Sequence, residues 1–420
     1  MPVNHGDETT ALVDHFFRHE SARLIAALTR RLGMRHLPLV EDALQVAMSR
    51  ALLSWSLKGT PENPSAWLMR VASNHALDVL RRETRQQVPE PGQLEAVLAS
   101  TAEKADIPEQ ELQDSLLRMI FACCDPSVPV ESRTALALKT LCGFSVSEIA
   151  RALVSTDSSI AKRISRAKTS LRQVGGDLAD LNVEQLLARL SDVQRVIYLL
   201  FNEGYSSSHP DRLIRVELCE EAVRLALMLA EHPLTSGSES SAFLALLLFH
   251  SSRLDARLDE SGAILLFAEQ NVDDWDLRLL REAFRWFEQA TQGAELSRYH
   301  AEALIAAEHC QGKLSGNTNW SRIVAGYDWL CRISPSPIHQ LNRAIAVAHH
   351  RGAKEGVECI EQIDDDRLAD QYYLLHAARG EMLAMLKDSV AAQKCFRRAW
   401  ELAPNHAEKE LMCRKIDGLV

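Results

Sequence analysis

The chain has 420 residues, which is too many for one core, so two or three domains of roughly 150 residues each are expected. Its 46% hydrophobic and 25% charged composition excludes disorder and fibrous classes, and no run approaches the roughly 20 apolar residues that span a bilayer. The net charge of −10 argues against a nucleic-acid partner only if the charge is evenly spread, and it is not. Residues 1–174 carry 21 Lys+Arg against 20 Asp+Glu, whereas the remaining residues carry 26 against 37.

Abundant Ala and Leu with few aromatics (6%) favour helix over sheet, and an all-α fold is expected throughout. The first segment, 1–86, reads as a helical domain. Val40, Ala43, Leu44, Ala47, Met48, Ala51, Leu52 and Trp55 recur at helical spacing and predict a buried stripe, with Asp42, Gln45 and Ser49 on another face. Pro64 suits the first turn of the next helix, on which Arg70, Asn74 and Arg81 share a side. Residues 87–108 are rich in Gln, Pro and Glu and read as a linker.

The segment 109–176 is predicted to be a second small helical domain. Pro129 and Glu131 mark a helix start and Gly143 its stop, and Ser145 with Glu148 forms a capping box. A short turn leads to Asp157 as the expected N-cap of a last helix, whose core stripe is Ile160, Ile164, Ala167 and Leu171. Ser159, Lys162 and Arg166 point roughly opposite this stripe, with Arg163 on the flank. Two helices joined by a tight turn, the second basic outside, make a helix-turn-helix. Eight basic residues against two acidic ones over 133–172 supply the positive patch that phosphate contact requires.

The remainder, 177–420, reads as an acidic helical domain. Gly380, Ala392, Phe396, Ala399 and Pro404 match the spacing of a tetratricopeptide unit of about 34 residues, in which small residues admit a close helix pair and Phe fills the gap. Ala222, Ala226 and Leu229, and Ala325 with Trp329 and Pro337, copy parts of this pattern. In the run FNEGYSSS, Asn202, Glu203 and Tyr205 form either a polar contact site for a partner or another domain, or a helix end with Gly204 as a left-handed cap.

Residues 148–172 resemble the promoter-reading helix-turn-helix of region four in bacterial RNA polymerase sigma factors, and residues 40–55 and 67–82 resemble the successive parts of region two. Two sigma domains in this order, joined by a linker, are similar to the extracytoplasmic-function group. FNEGYSSS, WSRIVAGYDWL and SPSPIHQLNRAIAV resemble its subgroup with a tetratricopeptide-like C-terminal domain. The resemblance implies that Asp42 and Gln45 contact the β′ clamp helices of core RNA polymerase, with the β flap as a further partner surface. It also implies that Asn74, Asp78, Arg81 and Arg82 face the minus-ten element and its opened strand, and that Ser159, Lys162, Arg163 and Arg166 read the minus-thirty-five element of promoter DNA. Against the family pattern, Val46 stands in place of Glu, Val154 in place of the turn Gly, and Ala161 in place of a common Lys. The implied function is promoter recognition and transcription initiation, with a regulatory C-terminal domain open to a regulatory protein. The alternative is a tetratricopeptide scaffold whose helix-turn-helix does not read promoters.

No Gly-rich phosphate loop, nucleophile elbow or HExxH occurs, so no enzymatic activity, cofactor or small-molecule ligand is expected. The nine cysteines are read as reduced free thiols; Cys123 and Cys124 with Cys142 form no Cys-x-x-Cys pair and are read as buried thiols rather than a thiol switch or metal ligands. His5, His15, His19, His349 and His350 are expected at the surface or at caps. The amino terminus, MPVNHGDETT, lacks a secretory pattern, so a cytoplasmic location without membrane association is expected, with the nucleoid implied for the polymerase-bound form.

Overall fold

A computed structural model describes residues 20–86, 109–141, 143–153, 155–174, 183–207, 213–260, 262–293, 296–365, 370–403 and 406–419. The fold is all-α. Among the described residues the sole β feature is an isolated antiparallel bridge between Leu258 and Ile264. The chain divides into two compact units, Met1–Thr235 and Ser236–Val420. The expected linker at 87–108, together with His5, His15, His19, Cys142, Val154 and Pro404, lies outside the described residues.

In the first unit, helix α1 (20–32) ends at Gly33, whose φ of 88° reverses the chain into the 3-10 turn Met34–His36. Helices α2 (Leu37–Lys58) and α3 (Pro64–Gln86) follow. Their shared core holds Leu24, Leu28, Val40, Leu44, Leu68 and Met69, and the Trp55 ring meets Trp67 edge-on at 5.6 Å. The α2 stripe buries as expected up to Ala51, but Leu52 is 56% exposed. Leu52 falls at the edge of the stripe, whereas Trp55, three residues on, still packs against the core.

Helices α4 (Glu109–Cys123), α5 (Val130–Leu141), α6 (Val146–Ala152) and α7 (Asp157–Val174) form the next cluster. Gly143, at φ 64°, ends α5 and lets the fully buried Phe144 turn inward. Two further helices, α8 (Val183–Tyr205) and α9 (Val216–Glu231), complete the unit. The expected domain start at 177 therefore falls inside the first unit, because α8 and α9 bury their apolar sides and several charged groups against α4–α6.

The second unit begins with α10 (Ser238–Ser251), in which every residue from Ala242 to Phe249 is buried, as befits a helix surrounded by others. Helices α11 (Leu277–Ala290), α12 (Arg298–Ser315), α13 (Trp320–Ile333), α14 (Pro337–Arg351), α15 (Ala353–Glu361), α16 (Tyr373–Met385), α17 (Ser389–Leu402) and α18 (His406–Asp417) follow in succession. Consecutive helices pair. On α16, a Cβ added at Gly380 would come within 2.8 Å of the Phe396 ring of α17, while Ala392, Phe396 and Ala399 are fully buried. The spacing noted in sequence thus serves the close helix approach inferred from it. In α13 the small packing residue is Gly326, against Ile305, rather than Ala325, which is exposed: the helix is rotated by one residue from the expected register.

Candidate nucleic-acid interface

The helix-turn-helix forms as its local chemistry dictates. The Ser145 amide donates to Glu148 Oε2 at 2.7 Å and the Glu148 amide to Ser145 Oγ at 3.2 Å, a reciprocal capping box that starts α6. The cap of α7 is Thr156 rather than Asp157, since Thr156 Oγ1 accepts from the Ser159 amide at 3.3 Å and Asp157 already sits in the first turn. Its carboxylate there still favours the positive end of the helix. Ile160, Ile164, Ala167 and Leu171 are all buried, so α7 is fixed by one face; Ile160, Ile164 and Leu171 each contribute roughly 1.5–3 kcal/mol of apolar burial.

That anchoring leaves the opposite face outward. Lys162, Arg166 and Arg172 are exposed, while Ser159 and Arg163 are half-buried on the flank. Not every cation of the 133–172 segment remains in the surface patch. Arg133 is ion-paired to Asp192 of α8 and also donates to the Val128 carbonyl at 2.8 Å. Lys168 is paired with Glu41 of α2, which stands beside Asp42. The α7 face available to a polyanion therefore consists of Lys162, Arg166 and Arg172, with Arg163 beside them.

On α2, Asp42, Gln45 and Ser49 are exposed, and Val46 is half-buried between that face and the core. On α3, Arg70, Asn74, Asp78, Arg81 and Arg82 are all exposed, while Leu68, Met69, Ala72, Ala76 and Leu77 are buried on its other side. Asp78 and Arg81 form an ion pair at 3.6 Å one turn apart. Both side chains are about half exposed, so the pair adds little stability and opens readily to a partner. These polar groups project from helices whose opposite faces are locked in the core.

The residues Asn202, Glu203 and Tyr205 do not converge. Asn202 is exposed and Glu203 is buried, accepting from Ser207 Oγ at 3.2 Å; Tyr205 is half-buried with its ring stacked on Phe201 at 5.8 Å. Nor does Gly204 act as a left-handed cap, for it lies inside α8 and its φ is not positive. A Cβ there would meet Cys219 N at 2.8 Å and the Arg215 carbonyl at 2.9 Å, so this glycine is required by the close passage of α9's start. Sequence reasoning missed Arg189, Asp192 and Arg215 altogether. For Arg189 and Asp192 the signal is a charged residue on the side of α8 that packs inward, legible only once that side is known; Arg215 precedes α9 and carries no periodic signal.

Among the described residues no group of three or more His, Cys, Asp or Glu side chains could hold a metal ion. Cys123 and Cys124 are buried, and burial, aided by the Asp192 charge, pushes the Cys124 thiol up to about 12, away from the reactive thiolate. His349 is exposed at the end of α14, where its ring stacks on Trp320 at 4.1 Å. No helix among the described residues is long and apolar enough to cross a membrane.

Residues 17–86, which include α1–α3, match sigma-70 region 2. Residues 189–291 match a family of unknown function, DUF6596. The uncharacterized protein R00370 of Rhizobium meliloti (strain 1021) is 34% identical over 404 residues, covering 94% of this chain and 95% of that protein. No solved structure matches. The α1–α3 bundle, with its outward polar faces on α2 and α3, is thus a sigma-70 region 2 domain. Over nearly its whole length the chain belongs to one family with the Rhizobium protein, and within it residues 17–86 carry the sigma-70 region 2 match.

Proposed function

We propose that the chain is a promoter-specificity subunit of RNA polymerase, of the extracytoplasmic-function type, in which the region 2 domain and the helix-turn-helix contact separate promoter elements. The observation that carries this reading beyond the region 2 match is the geometry of α7: its apolar stripe is fully engaged, so Lys162 and Arg166 are held outward on a rigid helix. A helix so placed enters the major groove, where Arg and Lys contact base edges and flanking phosphates. Asn74 and Arg81, exposed together on α3, suit an opened strand, whose backbone needs cations and whose bases need hydrogen-bonding partners. Asp42 and Gln45 supply the polymerase contact. No covalent chemistry is involved; the work is coupled binding and DNA deformation.

The close Gly380–Phe396 packing supports reading the second unit as tetratricopeptide-like, a regulatory or docking module for another protein. The test is run-off transcription by the full chain with core polymerase on a pool of promoter fragments. Lys162→Ala with Arg166→Ala is expected to abolish promoter choice and leave polymerase binding intact, whereas Asp42→Ala with Gln45→Ala weakens polymerase binding. A full chain that never directs polymerase to a promoter would favour the scaffold alternative.

A further inference from the structure

We infer that Arg215, at the start of α9, is a positioning residue for the helix-turn-helix, and that α8 and α9 are working parts of the DNA-reading module. The DNA-reading half of this inference rests on the proposed function; the positioning half rests on geometry alone.

The Arg215 side chain is 6% exposed and meets the helix-turn-helix and its entry at two points, with a third contact inside α9. Its Nη2 donates to Glu148 Oε1 at 3.1 Å, its Nε approaches Glu217 Oε1 at 3.4 Å, and its guanidinium lies 5.5 Å from the centre of the Phe144 ring. Glu148 is therefore used twice. Oε2 closes the capping box of α6 through the Ser145 amide, and Oε1 receives Arg215. Phe144, fully buried at the entry to α6, is the apolar surface over which the guanidinium lies. One arginine thus grips both the cap and the entry of the helix that orients α7.

Arg215 is itself firmly seated. Its amide donates to the Gly204 carbonyl at 2.8 Å, and the missing side chain at Gly204 admits both the Arg215 carbonyl and Cys219. This gives the Asn202–Tyr205 run a role: the end of α8 is the saddle on which α9 begins. Earlier on α8, Arg189 donates to Asp125 Oδ2 at 2.6 Å and to the Phe121 carbonyl at 3.1 Å, and Asp192 is paired with Arg133 of α5. Three ion pairs, all largely withdrawn from water, therefore tie α8 and α9 to the loop after α4, to α5 and to α6.

Pairs of this kind add modest stability because desolvation offsets the attraction, but their strict geometry fixes orientation. In a helix-turn-helix the first helix crosses the DNA backbone and sets the angle at which the second enters the groove. A site held loosely by about 1 Å loses its function even when every contacting residue is present. Arg215 acts on Lys162 and Arg166 in this way, through α6.

The test uses full-length chains carrying Arg215→Gln, Arg215→Lys, Glu148→Gln, and Arg215→Gln with Glu148→Gln. Three quantities are read: affinity for core polymerase, the ratio of transcription from a promoter with its upstream element intact to one with that element scrambled, and amide hydrogen exchange over 146–152. Arg215→Gln should lower the ratio about tenfold and speed exchange in α6, with polymerase affinity unchanged. Arg215→Lys should recover much of the ratio, and the double variant should be no worse than either single one, as expected of groups acting as a unit. An unchanged ratio in Arg215→Gln, or additive losses in the double variant, would overturn the inference. If the unaltered chain shows no dependence on an upstream element, the promoter reading itself fails. Exchange over 146–152 still decides the positioning role, and unchanged exchange in Arg215→Gln refutes it.

Discussion

Gly204→Ala should destabilise the first unit, although alanine is the better helix former. In an ordinary exposed helix this exchange gains about 1 kcal/mol. Here the added Cβ would stand 2.8 Å from Cys219 N, 2.8 Å from Cys219 Sγ and 2.9 Å from the Arg215 carbonyl oxygen. Two of these three atoms are backbone and cannot rotate away. The start of α9 must therefore retreat by roughly half an ångström, against the 2.8 Å hydrogen bond that holds Arg215 N–H to the Gly204 carbonyl. Overpacking of this kind costs about 1–3 kcal/mol, and the loss of aligned hydrogen bonding adds to it, so the net change is a loss on the order of 1–2 kcal/mol after the propensity gain. Urea denaturation followed by far-UV circular dichroism reads this as a lower midpoint for the transition of the first unit, with the second unit's transition unmoved. A midpoint equal to or above that of the unaltered protein would show that α9 is not locked against α8 as described, and the seat assigned to Arg215 would fall with it.

Three further outcomes are expected. Phe396→Ala removes the ring that fills the space over Gly380 and should lower stability by about 3–5 kcal/mol, read as a large drop in the urea midpoint of the second unit. Burial first, then the charge of Arg253 and that of His349, holds His309 down to about 4, whereas its unfolded value is near 6.5. The unfolded chain therefore takes up a proton that the folded one refuses, so stability is full above pH 6.5 and falls by about 2–3 kcal/mol as pH drops towards 4. His250, which burial and the charges of Arg253 and Arg257 hold down to about 3, adds a loss of the same sign, so His309→Phe should reduce but not abolish the dependence in thermal melts of the full chain across that range. Lys162→Ala with Arg166→Ala should reduce the slope of log affinity against log salt for promoter DNA by about 2, roughly one unit per lost phosphate contact; an unchanged slope in a filter-binding series with polymerase would place these two residues off the DNA.

Much of the architecture was legible along the chain because it depends on neighbours within a few residues. The Ser145–Glu148 box, the Gly143 stop and the α7 stripe are i, i+3 and i, i+4 relations, and each formed as read. The outward faces of α2, α3 and α7 were legible for the same reason: once the buried face of a helix is known, the exposed face follows. The errors came where an outside element decides. Leu52 lies at the edge of the α2 stripe and is left exposed, while Trp55 beyond it still meets the core. Gly204, which resembles a cap in isolation, is in fact a contact surface for α9. Ala325 and Gly326 are equally small, and only the position of Ile305 chooses between them.

By itself, then, the order of residues determined helices, caps, turns and the side of each helix that turns from water, since all of these arise from backbone geometry and local periodicity. The tertiary structure alone decided that Arg215 grips Glu148 across 67 positions of chain, that Arg133 and Lys168 leave the cationic surface for Asp192 and Glu41, and that α8 and α9 complete the first unit. The reason is physical. A buried ion pair requires two charged groups to lose water together at one point in space, and no local pattern records which distant segment will bring the second charge.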